Sequence, residues 1–93
     1  MKYRSRTDIV TMVLESARAG ATKTRIMYKA YLSHAQVNEY LKFLQEHGLL
    51  IYAEGKQVYM MTERGFKFLT ASNELNELMI PKSKYYQSDP DMQ

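Results

Sequence analysis

The stretch Thr22-Lys23-Thr24-Arg25-Ile26-Met27-Tyr28-Lys29-Ala30-Tyr31-Leu32-Ser33-His34-Ala35-Gln36-Val37 decides how this chain of 93 residues is built. Thr22 or Thr24 can cap a short helix in which Ile26, Met27 and Ala30 form the apolar stripe while Lys23, Arg25 and Lys29 stay polar. That helix is expected to end near Tyr31. Only Tyr31-Leu32-Ser33 separates it from the next one, and Leu32 is suited to plug the core between the two. Ser33 with Gln36 three residues later has the form of a capping box, in which hydroxyl and side-chain amide each serve the other residue's backbone N–H. Behind it Val37, Tyr40, Leu41 and Leu44 repeat at helical spacing up to Gly48.

Upstream, Ile9, Val10, Val13, Leu14 and Ala17 recur at helical spacing after Thr7 and Asp8, which can cap the amino end, and Gly20 supplies a stop. Downstream the period changes. Residues 49–53 and 57–61 suit strands, and Glu54-Gly55-Lys56 between them is a turn signal, so one β-hairpin is expected. Thr62 then caps a fourth helix, residues 62–80, with Phe66, Phe68, Leu69, Leu75, Leu78 and Met79 as its apolar positions and Pro81 at its end. Such a helix measures about 26 Å at 1.5 Å per residue. Residues 81–93, with Pro90, Asp89, Asp91 and Tyr85-Tyr86, show no period and read as a flexible tail. Residues 1–80 are therefore expected to form a single domain, mainly α with a small hairpin.

Composition narrows the function classes. Apolar residues make up 45% and charged residues 25% of the chain, the balance of an ordinary globular domain. Without cysteine there are no disulfides, thiolate metal sites or cysteine nucleophile. The longest apolar runs fall far short of the roughly 20 residues of a membrane span, and no apolar signal core follows the basic start, so a cytoplasmic location is expected. Net charge is only +3, but the first third carries Lys2, Arg4, Arg6, Arg18, Lys23, Arg25 and Lys29 against Asp8 and Glu15. Glu74, Glu77, Asp89 and Asp91 outnumber Lys82 and Lys84 at the other end. Charge polarised in this way suits a protein that meets a polyanion with one face.

Three helices, a hairpin and a last helix in this order describe a winged helix-turn-helix, with the second helix bracing the third and the hairpin as the wing. Lys23-Thr24-Arg25-Ile26-Met27-Tyr28, Leu32-Ser33, Tyr40-Leu41, Leu44, Gly55-Lys56 and Thr62 also resemble the archaeal winged-helix family that includes the small ten-kilodalton chromatin-type DNA-binding proteins of Sulfolobus. The resemblance covers residues 9–69, about two-thirds of the chain. It implies a double-stranded DNA binder, nucleoid-associated, that forms a homodimer through its last helix. Here the pattern departs, because Pro81 should stop that helix early and leave a short seam of Phe68, Ser72, Leu75, Leu78 and Met79.

On the third helix, residues 34–47, the outward face holds Ala35, Asn38, Glu39, Lys42 and Glu46 and is expected in the major groove. Ser33, His34 and Gln36 lead at its amino end, and Gln36 and Asn38 each have the side-chain amide that pairs with adenine. Glu39 and Glu46 oppose tight binding by this face alone. Backbone contacts are assigned to Lys23, Thr24 and Arg25, to Lys56 in the wing turn at 54–57, and to an arm with Lys2, Arg4 and Arg6. Transcription regulator and chromatin-associated protein are both open at this point.

Other readings rank lower. His34 and His47 lie thirteen positions apart with no carboxylate cluster at ligand spacing, so neither a metal site nor a cofactor is expected. Ser33 and His34 are mere neighbours without an orienting acid, so no enzyme is expected either. Most of the eight tyrosines fit core or strand positions better than a stacking platform for single strands. The serious rival is a winged helix that contacts only protein within a transcription complex.

Overall fold

Each helix begins where a hydroxyl side chain can accept the first free N–H groups. In the computed structural model, which describes residues 4–79, the elements are α1 (Arg6–Ser16), α2 (Lys23–Lys29), α3 (His34–Glu46), β1 (Leu50–Ala53), β2 (Val58–Met61) and α4 (Glu63–Leu78). This is the expected order. Lys2, Pro81 and the tail 81–93 lie outside the described residues.

Capping was read correctly at α3, where Ser33 Oγ accepts from Gln36 N at 3.1 Å and Gln36 Oε1 accepts from Ser33 N at 2.9 Å. Thr22, not Thr24, caps α2, and Thr62 caps α4. At α1 the expectation is corrected. Ser5 is the cap, in a box with Asp8 whose two bonds are both 3.0 Å, so the helix starts before Thr7 and Asp8 sits in its first turn. The carboxylate there also meets the positive end of the helix dipole.

α2 and α3 both close with a left-handed residue. After α2, Tyr31 (φ 55°) takes that place; Leu32 N donates to Met27 O at 3.0 Å and Tyr31 N to Tyr28 O at 3.3 Å. This paired arrangement returns the chain sharply, and it drives Leu32, only 7% exposed, into the core as its sequence position suggested. Gly48 (φ 72°) does the same after α3, turning the chain into β1.

The core is assembled from five of the six elements: Val10, Val13 and Leu14 of α1, Ile26 of α2, Val37, Leu41 and Leu44 of α3, Leu50 of β1 and Leu69 of α4 are all buried. β1 and β2 pair antiparallel from Leu50–Met61 to Ala53–Val58. The wing has a further member that the periodicity did not reveal. Ala21 bridges Tyr59 through two backbone bonds of 3.0 and 2.8 Å, tying the entrance of α2 to the hairpin. At the hairpin's end the left-handed residue is Gln57 (φ 57°), whereas Gly55 does not have positive φ.

α4 seats only its first half. Gly65, Leu69 and Ser72 are buried where α4 packs on α1, on β2 and on Leu49 just before β1, and Phe68 is half-buried on the core. Leu75, Leu78 and Met79 project from the second half at 59%, 80% and 74% exposure. Among the described residues no helix is long and apolar enough to cross a membrane.

Candidate nucleic-acid interface

The amino ends of α2 and α3 are linked by polar side chains. Lys23 Nζ donates to Asn38 Oδ1 at 2.8 Å, and Asn38 Nδ2 lies 3.4 Å from His34 Nδ1. An ammonium can only donate, so this bond fixes the orientation of the Asn38 amide. Its nitrogen then faces the His34 ring. Ser33, His34, Gln36, Asn38 and Lys42 are all exposed on α3, as are Thr24 and Arg25 on α2 and Lys56 in the hairpin turn.

Both amides expected to read adenine are thereby committed locally. Paired recognition of adenine needs the side-chain carbonyl and the amide nitrogen together. In Gln36 the carbonyl holds the cap of α3, and in Asn38 it holds Lys23. Each carbonyl keeps a second lone pair, but turning either amide onto a base edge bends or breaks the bond it already makes, at up to about 0.5–1.5 kcal/mol. Accordingly Gln36→Ala is expected to act on the helix rather than on base choice: a loss of about 0.5–1 kcal/mol in stability, seen as a fall of a few degrees in Tm, with the ratio of affinities for two unrelated duplexes unchanged. A changed ratio with unchanged Tm would assign Gln36 to base reading instead.

Cations on this side have few intramolecular partners. The only ion pair among the described residues joins Arg18 to Glu15 at 3.4 Å, with both side chains about half exposed. Arg25, Lys42 and Lys56 make no side-chain bond among the described residues. Arg25 and Lys29, one helical turn apart, line a shallow cleft together with the paired Arg18 and Glu15. Arg18 and Lys29 were visible as charges in the sequence, and the i, i+4 spacing of Arg25 and Lys29 was the signal that places them together.

The arm is used differently from the sequence expectation. Arg4 donates to Ala30 O and, at 2.9 Å, to Tyr31 O, closing the carboxy-terminal end of α2. Arg6 lies over the rings of Tyr40 and Phe43, 5.2 and 4.9 Å from their centroids. Both are anchored to the domain itself, as cations at a helix end and over aromatic faces commonly are. His47 is separate from His34, with its ring 4.2 Å from that of Phe43 and Nδ1 2.9 Å from Phe43 O. Of the proposed seam, Ser72 is packed within the chain, its Oγ 3.4 Å from Thr11 Oγ1, and Phe68 rests on the core.

A sequence model described as winged helix-turn-helix matches residues 3–80. An uncharacterized protein of Methanocaldococcus jannaschii is 32% identical over 80 residues, which cover 85% of this chain and 80% of that one. Among solved structures, Sso10a-2, a DNA-binding protein from Sulfolobus solfataricus, superposes with a TM-score of 0.73 at 21% identity, over 96% of this chain and 93% of that chain.

Proposed function

Given that this chain belongs to the winged helix-turn-helix family, we propose that it binds double-stranded DNA, with α3 in the major groove, the amino end of α2 and the wing turn on the phosphates, and little discrimination among sequences. The observation that carries this reading is the division of labour among the exposed polar groups of α2, α3 and the wing turn. Arg25, Lys42 and Lys56 are exposed and unpaired among the described residues, whereas Gln36 and Asn38 have their acceptor oxygens engaged. Phosphate contacts position a protein without reading sequence, and base contacts specify. A surface richer in the first than in the second suits a nucleoid-associated role better than an operator-specific one. The fold shared with the S. solfataricus DNA-binding protein supports DNA binding as such.

Binding across a salt series tests it, with two unrelated duplexes and a single strand. The expected result is preference for duplex, affinity falling steeply with salt, and little difference between the duplexes. Absence of binding at low salt overturns the proposal and leaves the protein-contact role.

The protein works as a homodimer on this reading, joined through the second half of α4. Because Ser72 and Phe68 pack within the chain, Leu75, Leu78 and Met79 form the contact. Leu75→Glu places a charge in that contact and is expected to halve the mass measured by sedimentation, with the helical signal retained. An unchanged mass excludes this seam.

A further inference from the structure

We propose that the cavity between α1, α3 and α4 binds a small organic carboxylate with an apolar body, such as an aromatic acid. Its volume, about 320 Å³, falls within the range of small-molecule sites. Val10, Phe43 and Phe68 line it with apolar surface, and Arg6 and Arg64 reach it from the amino ends of α1 and α4. None of the described lining residues is acidic.

The two guanidinium groups are held in place without being neutralised. Arg6 rests on the ring faces of Tyr40 and Phe43. Arg64 is anchored through Nε to His47 O at 3.0 Å, which leaves its terminal nitrogens to donate elsewhere. Neither has a carboxylate partner among the described residues. Fixed guanidinium groups are well suited to a carboxylate, whose two oxygens match the fork of N–H donors.

The apolar chamber beside them narrows the class of ligand. An inorganic anion would satisfy the arginines but leave the aromatic surface unfilled, and a neutral apolar molecule would do the reverse. A molecule with both parts uses the whole site, as ligands of mostly apolar pockets with a few placed polar groups do. This assignment is independent of the DNA-binding reading, since neither Arg6 nor Arg64 belongs to the surface proposed for phosphates.

The test is a titration of the isotope-labelled full chain, followed by amide resonances, with three probes: benzoate, benzamide as its neutral counterpart, and acetate as the charge without the ring. Saturable shifts with benzoate are expected in residues 6–10, 47–49 and 64–68, with benzamide and acetate at least about tenfold weaker. Arg6→Gln and Arg64→Gln are each expected to weaken benzoate about tenfold, the scale of one lost charge-assisted hydrogen bond. No saturation, equal binding of benzamide, shifts centred on α2 and the wing, or retained affinity in both variants overturns the proposal. The comparison of probes is made on the unaltered protein, so it decides the matter even if a substitution unfolds the chain.

Discussion

Replacing Arg25, Lys42 and Lys56 together by alanine is expected to weaken duplex binding about 500-fold at roughly 0.1 M salt and to lower the slope of log affinity against log salt by about 2.7. Both figures come from counterion release: each phosphate neutralised contributes about 0.9 to the slope, hence close to tenfold in affinity at that salt. The three residues are exposed on α2, on α3 and in the wing turn, and make no side-chain bond among the described residues. Their removal should therefore leave Tm nearly unchanged, within the small range typical of surface substitutions. Affinity should fall alike on unrelated duplexes, because phosphates carry no sequence information directly. A slope reduced by less than about 1 would mean that these cations are solvated in the complex and that the docking surface lies elsewhere.

Gly65→Ala is expected to destabilise the protein by about 1–3 kcal/mol, against the direction that helix propensity alone gives. Taken as an isolated helical position, alanine is favoured over glycine by roughly 1 kcal/mol. In the folded chain a Cβ at Gly65 presses on the backbone carbonyl of Leu49 and lies 2.8 Å from Met61 Cγ. Leu49 cannot easily yield, since its N–H donates to Leu44 O at 2.8 Å and its carbonyl accepts from Thr62 N at 3.1 Å. Overpacking against a fixed backbone costs on the order of 1–3 kcal/mol, and in a domain of this size each kcal/mol moves Tm by about 4–8 °C. Thermal unfolding of the purified variant is the measurement. A Tm equal to or above that of the parent would show that α4 does not seat on the start of β1 in this way.

The opposite signs of the local and tertiary estimates at Gly65 show where sequence reading reached its limit. Patterns carried by neighbours in the chain were legible. Ser33 and Gln36 cap α3, Thr62 caps α4, and the stripe Val37, Tyr40, Leu41 and Leu44 faces inward. The cap of α1 was misplaced because Ser5, Thr7 and Asp8 all offer suitable oxygens, and the partner that decides among them is Asp8 reaching back to Ser5. In the wing, the turn at Glu54-Gly55-Lys56 was legible, but that the left-handed residue is Gln57, just before β2, was not.

The candidate site was legible as a set of residue types and illegible as a set of available groups. Gln36, Asn38, Arg4 and Arg6 all have the chemistry to meet DNA. Their partners in the folded chain are the Ser33 N–H, Lys23, the end of α2, and the rings of α3. Three of these four contacts cross between elements, so no window along the chain contains them. The cavity holding Arg6 and Arg64 is likewise invisible to sequence reading, because 58 positions separate residues that tertiary packing sets around one chamber.

By itself the sequence determined the identity and order of the helices and the hairpin, the sharp turn between α2 and α3, and the buried side of the first three helices. These depend on spacing within a few residues and on caps whose bonds close over three positions. On α4, by contrast, the sequence marked Phe66, Leu75, Leu78 and Met79 as apolar positions that the fold leaves exposed. Only the tertiary structure decided which polar groups remain free for a partner, where α4 leaves the core, and that a glycine is needed where α4 meets Leu49. Those outcomes depend on distances between segments remote in the chain, where a hydrogen bond made in one place removes a donor or acceptor from every other use.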